Sequence, residues 1–265
     1  MDLDLKGKSV IVTGGASNIG RAITLGFAKE GAKITIADIE TTHAEKVAGE
    51  ARKLGAADVQ VIQTDVTDFD AVGRMVQAAR EKYGAVDVLV NNVGWDRLMF
   101  FTQTTPDLWE KIIKINFVGA LNCTKHALDV MIEQKQGAIV SISSDASRQG
   151  EPTEAVYGGM KAAVNSFMKT IAKENGRFGI RCNVVCPGIT IAESTEQLGQ
   201  QSMWKTGDIN FTEDQLAKIA KTMPLKKIGR PEDIVGAVLY FASNKVAGHA
   251  TGQILSVSGG YSMIG

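Results

Sequence analysis

Cysteine, histidine and proline are scarce in this chain: three, three and five among 265 residues. Cys123, Cys182 and Cys186 form no CxxC pair, which excludes a disulfide framework and a zinc-type ligand set, and no metal site is expected. Cys182 and Cys186 fall in an apolar run that reads as a strand, so reduced, buried thiols are expected. An excess of either charge is also missing, since Lys+Arg and Asp+Glu each number 29. A neutral chain without like-charge runs has no electrostatic basis for binding nucleic acid or an anionic membrane. No apolar stretch is long enough to span a bilayer, and the charged first residues do not resemble a secretory signal. A cytoplasmic location is the expectation. With no repeat, low-complexity tract or Pro/Gly-rich linker, residues 1–265 read as one domain.

What is present is alternation. Short apolar runs at 9–13, 33–37, 59–63, 86–90, 138–142, 181–185 and 254–257 read as strands. Helical patterns lie between them at 21–30, 42–54, 69–83, 107–134, 154–175 and 231–243. Nearly continuous apolar strands imply a sheet covered on both faces, and β-α-β order implies parallel strands with right-handed crossovers. The class expected is α/β, a doubly wound Rossmann fold with a seven-stranded parallel sheet. Residues 189–212 follow the sixth strand, lack clear periodicity, and read as a substrate lid.

The first strand runs into Thr13-Gly14-Gly15-Ala16-Ser17-Asn18-Ile19-Gly20, and a helix follows. Glycines there let backbone approach a pyrophosphate, and a helix N-terminus offers free N–H groups. Asn18 stands at the middle-glycine position; asparagine tolerates positive φ better than other side chains do, so the turn is expected to survive. Asp38, with Ile39 after it, closes the second strand 18 residues beyond Gly20, where a ribose-binding acid belongs. Its carboxylate accepts from both ribose hydroxyls and repels a 2′-phosphate, so the cofactor expected is NAD. Asp65 and Val66 close the third strand, and Asn91, Asn92 and Gly94 follow the fourth. These border the same ligand unless they simply satisfy strand-to-loop turns.

Tyr157 and Lys161 stand at i and i+4 on one helix face. A phenol is a weak base at neutral pH, and a neighbouring ammonium is expected to lower its pKa. Such a tyrosine takes a proton from an alcohol as hydride leaves, or returns one to a ketone. Ser144 ends the fifth strand, where its hydroxyl can hold the substrate oxygen. Asn116 lies in an apolar helix and needs partners, one option being a water chain toward Lys161. Pro187 and Gly188 end the sixth strand beside the nicotinamide position. Their joint placement at strand ends on one sheet edge points to a ligand crevice.

These motifs resemble the short-chain dehydrogenase/reductase family over essentially the whole chain, through Gly259-Gly260. The resemblance implies that Asn116, Ser144, Tyr157 and Lys161 are the catalytic tetrad. It implies cofactor contacts from Gly14, Ser17, Asn18, Ile19, Gly20, Asp38, Ile39, Asp65, Val66, Asn92, Gly94, Tyr157, Lys161, Pro187, Gly188 and Thr190. It also implies homodimers or homotetramers joined through the two long helices. Asn92-Val93-Gly94-Trp95-Asp96, Ser144-Asp145-Ala146 and Glu154-Ala155-Val156-Tyr157 are similar to hydroxycyclohexanecarboxyl-CoA dehydrogenases of alicyclic and aromatic acid degradation. So are Asn183-Val184-Val185-Cys186-Pro187-Gly188 and the Gly252–Gly260 segment. That likeness implies oxidation of a bulky β-hydroxyacyl-CoA to the β-ketoacyl-CoA. Trp95, Asp145, Arg148 and Trp204 are the candidate substrate residues, with Asp96, Met203 and Lys205 on the same loops. Arg148 or Lys205 is a possible partner for an anionic CoA group. One alternative is a ketoacyl reductase of lipid synthesis, against which Asp38 argues. Another is a non-catalytic subunit of a hetero-oligomer such as hydroxy(phenyl)methylsuccinyl-CoA dehydrogenase. Two departures motivate that last reading: Asn18, and Ala192 where relatives carry a threonine that Thr190 or Ser194 would replace.

Overall fold

A computed structural model describes residues 2–263. Seven strands form one parallel sheet: β1 (Ser9–Thr13), β2 (Lys33–Asp38), β3 (Asp58–Gln63), β4 (Val88–Asn91), β5 (Gly137–Ile142), β6 (Ile180–Pro187) and β7 (Ile254–Val257), in the order β3-β2-β1-β4-β5-β6-β7. All seven expected strands form. The helices are α1 (Asn18–Lys29), α2 (Thr41–Lys53), α3 (Phe69–Tyr83), α4 (Pro106–Ile113), α5 (Gly119–Gln134), α6 (Ala146–Gln149), α7 (Ala155–Asn175), α8 (Met203–Thr206), α9 (Glu213–Thr222), α10 (Pro231–Ala242) and α11 (Asn244–Ala247).

Successive strand residues serve opposite faces of the sheet, as the period-2 geometry requires. Val10, Val12, Val88, Val90, Ala138 and Val140 join the core under α1, α2 and α10. Ile11, Leu89, Ile139, Cys182 and Cys186 join the core under α3, α5 and α7. This two-sided burial is why the strands read as continuous apolar runs, and the three cysteines are free and buried. Removing a side chain such as Leu89, fully buried between layers, costs about 2–5 kcal/mol. No helix among the described residues is long and apolar enough to cross a membrane.

β1 pairs with both β2 and β4, so the strand order reverses at β1/β4. Side chains and loops diverge there at the C-terminal strand ends and leave a crevice. The helix expected over 107–134 is interrupted. Between α4 and α5 lies a five-residue π-helical turn, Lys114–Val118, with Asn116 at its centre. Such wide turns are costly and concentrate at functional sites.

Candidate active site

The crevice is one cavity of about 1280 Å³, open along the strand ends. At its left side, seen with β1 central, lies the glycine-rich turn. Gly14 has φ +60°, and Asn18 has φ +48°, the left-handed conformation expected of it. A Cβ on Gly20 would sit 2.0 Å from the Gly14 carbonyl oxygen, so only glycine closes this turn. Asn92 fixes it: its Nδ2 donates to the Thr13 and Gly14 carbonyls at 3.0 and 3.1 Å. The role of Asn92 is therefore to hold the turn, with its side-chain donor already spent there.

Asp38 is buried at the end of β2, its Oδ2 accepting from Ala16 N (3.1 Å) and its Oδ1 from Glu40 N (3.0 Å). Burial pushes its carboxyl up, against those two N–H groups. Asp65 accepts from both Thr67 N and Oγ1 in a local turn while lining the cavity, so the two readings of that residue coexist. Asn91 does not face the crevice; its Nδ2 donates to Thr124 and Ser141 inside the sheet–helix packing. Two groups here escaped sequence reading, Glu40 and His43. Asn18 Oδ1 and His43 Nε2 are buried without partners at this end, as an absent polar ligand would leave them. The left-handed turn, the space that glycine leaves, the strand-end carboxylate and these orphaned atoms fit a dinucleotide, and the carboxylate fits NAD(H) in particular.

At the other side stand Ser144, Tyr157 and Lys161. Tyr157 sits in the first turn of α7, so Lys161 follows one turn later, its Nζ 5.6 Å from the Tyr157 ring centre. The Ser144 hydroxyl is hydrogen-bonded to the Tyr157 side chain. Lys161 is 3 % exposed and donates to the Ile142 carbonyl at 3.0 Å. Burial lowers its pKa to about 8. Tyr157 corrects an expectation. Burial, then the Glu154 and Asp96 carboxylates, push its phenol up rather than down, so the free chain holds it firmly protonated. Asn116 is 1 % exposed, its Nδ2 donating to Trp95 O (2.7 Å) and Ile112 O (2.9 Å) while its Oδ1 accepts from Trp95 N (3.2 Å). These bonds occupy the amide, so Asn116 pins the loop after β4 to the π turn. Gly94 lies where a Cβ would meet Lys161 Nζ at 3.0 Å and Asn116 Oδ1 at 3.1 Å, tying that loop to the lysine.

Ile39, Val66, Pro187, Gly188, Thr190, Trp95, Asp145 and Trp204 also line the cavity. Arg148 does not: its guanidinium donates to Ser256 Oγ on β7 at 2.8 Å, which removes it as the anion partner considered above. Lys205 is likewise outside the lining, while Lys111, Lys114 and Lys218 border it. The lid is longer than the 189–212 expected, because Lys218, Ile219 and Thr222 of α9 close the same cavity. It is tied down at two places. Gly199 N donates to Ser17 Oγ (3.0 Å) and Gln200 N to Glu40 Oε2 (2.7 Å), while Arg97 Nε pairs with Asp208 Oδ1 (2.7 Å).

A nucleotide cradle and a Ser-Tyr-Lys group opening on one cavity at a sheet switch point define a dinucleotide-dependent oxidoreductase. A family model described as enoyl-(acyl carrier protein) reductase matches residues 14–262. The chain belongs to the short-chain dehydrogenase/reductase family. It is 35 % identical over 257 residues to a 3-oxoacyl-(acyl-carrier-protein) reductase FabG of Thermotoga maritima, covering 97 % of this chain and 98 % of that one. It is 34 % identical to a 3alpha-hydroxysteroid dehydrogenase of Mediterraneibacter gnavus (98 % of each) and 31 % identical to an acetoacetyl-CoA reductase of Synechocystis sp. (98 % and 99 %). Among solved structures, an NAD+-bound xylitol dehydrogenase superposes with a TM-score of 0.87 at 27 % identity, covering 97 % of this chain and 100 % of that one.

Proposed function

We propose that this chain interconverts 3-oxoacyl and 3-hydroxyacyl thioesters with NAD(H). The observation that carries the proposal is the Ser144–Tyr157–Lys161 group facing one cavity that also holds the nucleotide cradle. About 1280 Å³ exceeds the ~300–1,000 Å³ usual for one small ligand, which leaves room for a dinucleotide and a second molecule together. NAD(H) supplies or accepts the hydride when bound. Gly14, Ser17, Asn18 and Gly20 would hold its phosphates, Asp38 its ribose, and Lys161 its nicotinamide end.

The chain's own residues do the rest. Ser144 orients the substrate oxygen, and Tyr157 gives that oxygen a proton in reduction or removes one in oxidation. A phenol held protonated is ready to give a proton, which suits reduction at neutral pH. Three exposed lysines at the rim, Lys111, Lys114 and Lys218, suit an anionic thioester carrier. Relatives named for 3-oxoacyl and acetoacetyl thioesters support the same class. They support the reductase of lipid synthesis at least as well as the oxidation of an alicyclic hydroxyacyl-CoA. Asp38 favours the second reading, because reductive synthesis usually draws on a 2′-phosphorylated cofactor. The gathering of Ser144, Tyr157 and Lys161 argues against a non-catalytic subunit. The same proposal pairs copies of the chain through α5 and α7.

The test is a purified-chain assay with acetoacetyl-CoA and NADH, and with a panel of linear and alicyclic 3-hydroxyacyl-CoA thioesters and NAD. NADH-linked turnover of a thioester, with NADPH at least about 100-fold weaker, supports the proposal. Stronger turnover with NADPH, or turnover of simple alcohols only, refutes it.

A further inference from the structure

Two acids, Glu154 and Asp96, stand near Tyr157, a third, Glu151, stands near Glu154, and proton transfer by Tyr157 uses none of them. Asp96, on the loop after β4, is 2 % exposed, and its Oδ2 has no hydrogen-bond partner. Glu154 occupies the cap position of α7 but makes no capping bond with its side chain. It lies one helical turn ahead of Tyr157, on the same face. Glu151 accepts from the Tyr261 hydroxyl at 2.8 Å. All three line the cavity. An unpartnered buried carboxyl is costly, and its retention beside the reacting group points to something that meets it.

We propose that Glu154, lining the cavity one turn ahead of Tyr157, donates a hydrogen bond to a second oxygen of the substrate, carried within two carbons of the reacting carbonyl. Glu154 is thus a specificity-determining residue for β-dicarbonyl-type substrates over simple ketones, and Asp96 is its positioning residue. The identity of that oxygen as a thioester carbonyl rests on the function proposed above; the donor role does not. Burial, then the charges of Asp96 and Glu151, push Glu154 up to about 8, so it keeps its proton at neutral pH. Burial pushes Asp96 to about 6, held from rising further by the Arg97 N–H and by Lys161. Burial first, and then the Asp96 charge, keep the proton of the pair on Glu154. The other titratable groups facing the pair are Tyr157, Lys161, Glu151 and Tyr261. A β-keto ester or thioester presents an acceptor oxygen to that proton, and a simple ketone presents nothing. Sites built to hydrogen-bond a substrate group discriminate strongly against analogues that lack it.

The test uses the full chain with NADH and three probes: cyclohexanone, ethyl 2-oxocyclohexanecarboxylate and acetoacetyl-CoA. The readout is the ratio of kcat/KM for the keto ester to that for cyclohexanone. Effects on Tyr157 cancel in this ratio, because both substrates use the same acid. The wild-type ratio at pH 7 is expected to be at least about 30, falling about tenfold or more in Glu154→Ala. Glu154→Gln, whose amide still donates, stays within about threefold of wild type. Asp96→Asn removes one of the charges that hold the proton on Glu154, so its ratio is expected to decline at a lower pH than the wild-type ratio does. A ratio unmoved by Glu154→Ala, or lost equally in Glu154→Gln, overturns the inference. A keto ester preference without turnover of acetoacetyl-CoA removes the thioester reading and leaves the donor role standing. Turnover of acetoacetyl-CoA with a flat ratio does the reverse, and reduction of none of the three overturns both.

Discussion

Replacing Asn18 by glycine is expected to stabilise the free chain. Asn18 holds φ +48° in the nucleotide turn, and its Oδ1 is buried without a partner. Left-handed backbone costs a residue with a Cβ about 1 kcal/mol, rather less for asparagine. An orphaned buried acceptor costs about 1–3 kcal/mol. Glycine removes both but adds unfolded-chain freedom, which returns about 0.5–1 kcal/mol. The net gain is about 1–2 kcal/mol, or roughly 2–6 °C in Tm for a chain of this size. Asn18→Ala separates the two contributions, since it removes the orphan but keeps the strain; its Tm is expected below that of Asn18→Gly. Thermal melts of the three proteins, with and without saturating NAD, make the comparison. If the cofactor satisfies the Asn18 amide, the advantage of glycine shrinks when NAD is bound. A glycine variant that melts at or below wild type, or below the alanine variant, refutes the reasoning.

Other perturbations test the remaining parts of the site. Tyr157→Phe is expected to lower kcat by about 10²–10⁴-fold while NADH binding, followed by fluorescence, stays within about threefold. Glu40→Ala removes the acceptor for Gln200 N, and a loss of about 1 kcal/mol there speeds NADH release roughly fivefold in stopped-flow measurements. The folded pKa of Glu154 is raised to about 8 from the ordinary 4.5 of a free glutamate, so the folded chain binds the extra proton and stability falls as pH rises between those values. Glu154→Gln removes that dependence; the Tm of the variant minus that of wild type is expected to widen from about pH 5 to about pH 8, and a constant difference would count against the raised pKa.

Much of this architecture was legible because burial on both sheet faces leaves a plain record. Val10 to Val12, Val88 to Val90 and Val184 to Cys186 are apolar without alternation, and each lies in a strand at the expected place. Asp38 and the Thr13–Gly20 turn were readable because their chemistry depends on positions close in the chain. The π turn at Lys114–Val118 was not, since one widened turn leaves the apolar spacing on either side intact. The extent of the lid was missed because α9 buries no residue completely, so its pattern carries little contrast. Arg148 shows the other limit. Its position on a catalytic-edge loop was visible, but whether the side chain faces the cavity or Ser256 is decided by β7, distant in sequence. Glu151 and Glu154 closely precede Tyr157 in the chain itself, yet Asp96 joins them only through the loop that Asn116 pins.

The lid's tethers also bear on the order of events during turnover. Ser17 and Glu40, which hold the 199–201 segment, belong to the nucleotide end, while Lys218, Ile219 and Thr222 of the same lid line the shared cavity. The lid is therefore anchored beside the residues proposed to hold the dinucleotide. An ordered sequence is the expected outcome of that anchoring: the dinucleotide first, the carbon substrate after it, and departure in the reverse order. In steady-state kinetics such a chain gives product inhibition that is competitive only between the oxidised and reduced dinucleotides.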